Sequence, residues 1–207
     1  LSARLTALVA AAGAETWDVG GTCRALAADW PGWRVVVVTE SNSLDDLAFL
    51  DGEPRVCGVP GEIVQEPFSE ACQRAAQGSH AVLFLAAGDE PRKGLAETLA
   101  GAFGPTVGAA FGDWAESGRR VYCEPFDRRR MAEVPWSPRA PLVSSDALRA
   151  VGPPADDSPA SWLDFWFRLT AQYVAVHVPE VLSDLTPAPA VGADVFPAVL
   201  ARAAARA

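Results

Sequence analysis

Nitrogen and sulfur metal ligands are scarce in this chain: of 207 residues only two are histidine and four are cysteine. His80 and His177 stand far apart, and Cys23, Cys57, Cys72 and Cys123 form no C-x-x-C pair. The short ligand spacing of a structural zinc site is therefore missing, and cysteines scattered in this way read as reduced core residues. The net charge is −9 and no Lys/Arg run is longer than Arg128–Arg130, which argues against a nucleic-acid partner, whose phosphates need a basic face. No apolar run approaches the ~20 residues needed to cross a bilayer. The first residues also lack the charged and apolar regions of a signal peptide. The expectation is a soluble, cytoplasmic protein with no membrane span.

Several catalytic fingerprints are absent as well. No G-x-G-x-x-G follows the first apolar stretch and no G-x-x-x-x-G-K-[ST] occurs, which removes nicotinamide and P-loop chemistry. There is no G-x-S-x-G elbow, and the two histidines have no convincing Ser or Cys partner for a nucleophilic triad.

What is present is a 50% apolar chain, ample for a core. Leu5 to Ala12, Trp33 to Thr39, Ala81 to Ala86 and Thr106 to Phe111 are apolar on successive residues, the pattern of strands buried on both faces. A short strand is expected around Arg55 to Val59. Helices are expected over Glu15 to Trp30, Leu44 to Leu50, Phe68 to Gln77 and Lys93 to Phe103, the last started by Pro91. This alternation predicts a βαβ series and a mainly parallel sheet, with Trp33 to Thr39 and Ala81 to Ala86 as adjacent interior strands. Beyond Gly112 a hairpin is expected over residues 113–124 and an irregular basic stretch over Arg128 to Arg139. Next come a helix capped by Ser145, a helix over Pro159 to Gln172, a strand over Tyr173 to Val178 and a terminal helix over Asp194 to Ala207.

Carboxylates stand at several strand ends: Glu40, Asp89 with Glu90, and Asp113. In an open α/β sheet these ends form the ligand crevice, and oxygen ligands there suit a ribose or a hard divalent cation. For any one of them the plainer reading is a solvated loop. Trp162 and Trp166 have the spacing to stack on a sugar ring, although aromatics at i and i+4 more often pack into a core.

The segments AAQGSHAVLFLAAGDEP, VSSDALRAVG and SWLDFWFRLTAQYVAVHVPEVL, in this order and spacing, resemble the family 2 glycosyltransferases of GT-A fold. The resemblance covers nearly the whole chain. It implies a single GT-A-like domain over residues 1–207, with a nucleotide-binding half (1–112) and an acceptor half (113–207). It also implies an inverting transfer of a sugar from a nucleotide-activated donor to a glycan or small-molecule acceptor. On this resemblance Glu40 and Asp89 are nucleotide-binding, Asp113 and Trp162 lie on the acceptor side, Asp164 is the catalytic carboxylate, and Asp89 with Asp184 are the candidate metal ligands.

The family's D-x-D falls on Ala86, Ala87 and Gly88, and its acidic pair before the acceptor helix falls on Ser161 and Trp162. Two readings follow: a glycosyltransferase with altered acidic motifs, or an inactive module of that shape that binds glycan or protein. The second reading sets the module within a larger chain or complex, alongside an additional domain or partner protein. Asp164 and Arg168, at i and i+4, equally suit a helix salt bridge.

With no side-chain oxygen at residues 86–88, magnesium or manganese is expected to be held only together with nucleotide. Calorimetric titration of manganese alone should show no micromolar binding; such binding would mean that the metal site has been misplaced. Ala86→Asp with Gly88→Asp is the expected restoration of an ion site.

Overall fold

The computed structural model describes residues 4–11, 14, 16–39, 55–56, 58–133 and 137–187. Glu40, Cys57 and the helices expected over Leu44 to Leu50 and Asp194 to Ala207 lie outside the described residues.

The apolar stretches become the centre of one mixed sheet. Strands β1 (Leu5–Ala10), β2 (Trp33–Val38) and β5 (Ala81–Ala86) are buried along almost their whole length, as side chains covered on both faces must be. β1 pairs in parallel with both β2 and β5. The strands expected to be neighbours are thus both interior but stand on either side of β1, which is equally apolar. Outward from β2 lies β4 (Val59–Val64), parallel to it, and then β3 (Arg55–Val56), antiparallel to β4. The single strand expected at residues 55–59 is therefore the turn of a hairpin, where Gly58 has φ +84°.

On the other side of β5 the parallel pattern breaks. β9 (Leu142–Ser144) is wedged antiparallel between β5 and β7 (Val107–Glu116). β7 carries β10 (Val174–Leu185) in parallel, and β10 holds the two-residue β6 (Glu90–Pro91) at the edge. β8 (Arg119–Val121) returns along β7 through a Ser117–Gly118 turn, which makes the expected hairpin. The division expected at Gly112 falls inside β7, so both halves share that strand.

Six helices are described: α1 (Thr16–Asp29), α2 (Phe68–Ala76), α3 (Leu95–Gly101), α4 (Arg128–Glu133), α5 (Ser145–Val151) and α6 (Pro159–Leu169). Pro91 does not start α3, because it pairs with Ser183 of β10. The start is made by Asp29 instead, whose carboxylate accepts from the amides of Gly94 (2.8 Å) and Ala96 (3.1 Å). Burial raises the pKa of this carboxyl, against the opposing pull of the Trp33 indole and the amides it caps. The cap of α5 is Ser144, one residue earlier than expected. Part of the basic stretch forms α4. No helix among the described residues is long and apolar enough to cross a membrane.

Helix α6 buries Leu163, Phe165, Trp166, Phe167 and Leu169. Trp166 is wholly buried against Phe111, Phe126 and Phe165, so it is a core residue and cannot stack on a ligand. Arg168 fastens α6 to the end of α5: it pairs with Asp164 at 2.9 Å and donates to the carbonyls of Val151, Gly152 (2.7 Å) and Pro153 (3.0 Å). Removing the guanidinium leaves those helix-end carbonyls unpaired, whereas removing Asp164 takes away one partly exposed ion pair. Arg168→Ala should therefore cost about 2–3 kcal/mol and Asp164→Ala under ~1 kcal/mol. Equal losses in denaturant melts would show that the carbonyl contacts carry no weight.

Candidate functional site

A cavity of about 330 Å³ opens beside the carboxyl end of β5. Its wall comprises Phe84, Leu85 and Ala86 of β5, Trp114 of β7, Phe68 of α2 and Trp162 of α6. The polar rim comprises Asp89, Arg139 and Asp157. Phe84 and Trp162 meet edge to face at 4.9 Å, and Phe68 closes on both at 6.5 and 6.3 Å. Trp162 lines this cavity.

Asp89 is the polar residue around which the rim is built. The chain leaving β5 turns at once through Gly88 (φ +92°), and the Asp89 side chain folds back so that Oδ2 accepts from the Ala86 amide at 2.8 Å. Oδ1 accepts from the amide and hydroxyl of Thr186 at 2.8 and 2.9 Å, joining the β5 turn to the end of β10. Burial pushes the pKa of Asp89 up; the Ala86 and Thr186 amides and the Arg139 charge pull the other way.

Asp157 lies just ahead of Ser158, the N-cap of α6. Its Oδ1 accepts from the Trp162 indole N–H at 2.9 Å. Although the residue stands at the open rim, desolvation by the cavity wall raises the pKa of its carboxyl. The Trp162 hydrogen bond opposes this shift, and the nearby Asp89 and Asp156 charges add to it.

The other expected site residues lie elsewhere. Asp113 follows its strand's alternation away from the cavity that Trp114 lines, and it is 2% exposed. It accepts from Arg120 (2.8 Å) and from the Cys123 amide (2.8 Å), and its Oδ1 stands 2.8 Å from His177 Nε2. Burial alone would raise its pKa, but Arg120, the Cys123 amide and His177 together hold it below the usual range. The Asp113, Cys123 and His177 ligand atoms lie within 4.8 Å of one another, a grouping that no sequence spacing announced. Asp113 is nonetheless closed to an acceptor by its own ion pairs. Burial pushes the Cys123 thiol up to about 12, with the Asp113 charge adding to the shift.

Asp164 lines a separate, smaller cavity with Arg168 and Phe167. Asp184 is half-exposed and held in a two-point pair by Arg92 at 2.7 and 2.8 Å, which lowers its pKa.

The donor set does not fit a divalent ion at the strand end where the resemblance puts one. Residues 86–88 supply no side-chain oxygen, both Asp89 oxygens accept from nearby N–H or O–H groups, and Asp184 is turned to Arg92. Restoring the motif is also blocked, since a side chain at Gly88 would adopt a left-handed φ and its Cβ would come within 2.8 Å of Thr186 Cγ2.

The sequence reading missed Asp157 and Arg139. The Asp156–Asp157 pair ahead of the helix was the available signal, displaced upstream from Ser161 and Trp162, where an acidic pair was sought.

No family model and no curated protein matches the chain. Solved structures do. S. aureus TarS residues 1–349 in complex with UDP-GlcNAc aligns over 98% of this chain and 66% of that one, at 14% identity and TM-score 0.73. The same protein in complex with UDP aligns over 98% and 64%, at 13% identity and TM-score 0.69. M. tuberculosis glucosyl-3-phosphoglycerate synthase aligns over 99% and 79%, at 13% identity and TM-score 0.58. The fold is GT-A-like. The chain spans about two thirds of the length of the TarS 1–349 structures it matches. In it the antiparallel β9 brings the segment with Arg139 against the end of β5.

Because the Asp113 pKa is depressed, its stabilisation is present above the ordinary value of 3.8 and is lost as pH falls through the folded value. Asp113→Asn should thus cost about 1–3 kcal/mol at pH 7, and the gap from the parent should narrow below pH ~4. A gap that stays constant in melts from pH 7 to 3 would mean that the charge has no part in holding β7, β8 and β10 together.

Proposed function

We propose that the chain is the donor-binding part of a glycosyltransferase that takes a sugar from a nucleotide-activated donor to an acceptor hydroxyl. The observation that carries this reading is the cavity at the carboxyl end of β5, where the Asp157 carboxylate, held by the Trp162 indole N–H at 2.9 Å, stands beside an aromatic wall. The complexes of the structural neighbours with UDP-GlcNAc and UDP support a nucleotide-sugar ligand. Asp89 sets the turn against which the nucleotide would lie, and Glu40 is the candidate ribose contact.

In the reaction the acceptor oxygen attacks the anomeric carbon from the face opposite the leaving group. The bond from that carbon to the diphosphate oxygen breaks with its electron pair, and the acceptor proton passes to Asp157. Desolvation beside the cavity wall raises the pKa of Asp157, the direction that makes a carboxylate a stronger base. Trp162 has two parts: its indole N–H orients Asp157, and its ring offers an apolar face to the sugar. Asp164 acts here only through the α5–α6 junction. We place the activity in the cytoplasm.

A second reading, a module that binds glycan without transfer, is favoured by the same aromatic wall together with the altered acidic motif. A thermal-shift screen of UDP, UDP-GlcNAc, UDP-glucose and free oligosaccharides separates the two, since a ligand of the folded state raises its stability. Nucleotide sugars should raise the melting temperature, and Asp157→Asn should leave that shift intact while lowering turnover of labelled donor by about 10²–10⁴-fold. Stabilisation by oligosaccharide alone would select the binding module.

A further inference from the structure

We propose that Arg139 is a built-in counter-charge for the diphosphate of the nucleotide ligand, so that nucleotide binding at this cavity needs no divalent ion. The inference rests on the nucleotide-sugar reading above and departs from the metal dependence that the resemblance implies.

Three observations converge. The strand end is poor in oxygens to hold an ion: residues 86–88 carry no side-chain oxygen, and Asp89 already accepts three hydrogen bonds from Ala86 and Thr186. Within the same cavity Arg139 is the only cationic lining residue among those described.

The guanidinium is also positioned and has donors to spare. Its side chain is 19% exposed, and Nη1 is anchored on the Thr186 carbonyl at 2.5 Å. Nη2 stands 3.6 Å from Asp89 Oδ1, beyond hydrogen-bond distance from an oxygen that already accepts from Thr186. Of the five N–H groups of a guanidinium, one is used in the bonds described.

The chemistry follows from these positions. A planar guanidinium with free N–H groups matches two phosphate oxygens at once. A fixed positive charge beside two carboxylates also offsets the repulsion that an incoming diphosphate meets from Asp89 and Asp157. Asp89 holds three hydrogen bonds from Ala86 and Thr186, so Arg139 can offer its spare N–H groups to the ligand from its anchored position while its charge stays beside Asp89. The leaving diphosphate would then be stabilised electrostatically by the protein itself.

The test is calorimetry on the whole chain with UDP, GDP and dTDP, in EDTA and in millimolar manganese, with the matching nucleosides as phosphate-free controls. At least one diphosphate should bind in EDTA, and manganese should change its affinity by less than about twofold. Arg139→Gln should weaken that diphosphate at least about tenfold and leave the nucleoside unchanged, with Arg139→Lys intermediate. Binding that needs manganese, or Arg139→Gln binding the diphosphate as the parent does, overturns the proposal and leaves the nucleotide reading standing. No binding of any diphosphate in either condition overturns both. If Arg139→Gln does not fold, the EDTA-against-manganese comparison on the parent and Arg139→Lys decides alone.

Discussion

The Asp89 carboxylate is the contact on which the rest of the site depends. β5 has to stop abruptly, and the peptide groups freed at its end have to be satisfied away from water. One side chain does this for the Ala86 amide and, through Thr186, for the end of β10. β5 is joined in parallel to β1, and β10 in parallel to β7, so a single carboxylate closes the two flanks of the sheet against each other. The tight turn that allows it needs Gly88 at φ +92°, and Thr186 leaves no room there for a side chain. The Asp89 carboxylate at this strand end is spent on architecture, and the positive charge beside it belongs to Arg139.

A second organising feature is a run of ring contacts. Phe84 meets Trp162 at 4.9 Å, Trp162 meets Phe165 at 5.7 Å, Phe165 meets Trp166 at 5.8 Å and Trp166 meets Phe111 at 6.1 Å. Phe111 in turn stacks on His177 at 5.4 Å. The run ties the cavity wall to the Asp113–Arg120–His177 network across α6. Edge-to-face packing of this kind adds about 0.5–1.5 kcal/mol per pair beyond burial. It also explains why Trp162 and Trp166, one helical turn apart, have different fates: one ends at the cavity with its N–H on Asp157, the other is enclosed by Phe111, Phe126 and Phe165.

Elements whose identity depends on neighbours in sequence were legible before the fold was known. Successive apolar residues marked β1, β2, β5 and β7 as buried strands, because a stretch covered on both faces has no polar alternation. Helical spacing marked α1, α2, α3 and α6, and the spacing of Asp164 and Arg168 marked their ion pair. The order of these elements, with the likeness of three segments, led to the GT-A-like fold.

What sequence could not carry were the pairings that join distant segments. Three strands of equal apolarity do not say which lies between the other two, so β1 took the central place expected for a β2–β5 contact. β9 is three residues long, too short to show a period, and its antiparallel insertion is decided by the hydrogen bonds left open by β5 and β7. Asp113 and His177 converge because β7 and β10 pair in parallel, Cys123 joins them because β8 returns antiparallel along β7, and Asp157 and Arg139 become site residues because α6 and the chain before β9 close over β5. The sequence by itself determined which stretches are buried and which kind of sheet they build. The tertiary structure alone decided which carboxylates are held by ion pairs and amides and which line the cavity, because that choice depends on desolvation and charge partners far away along the chain.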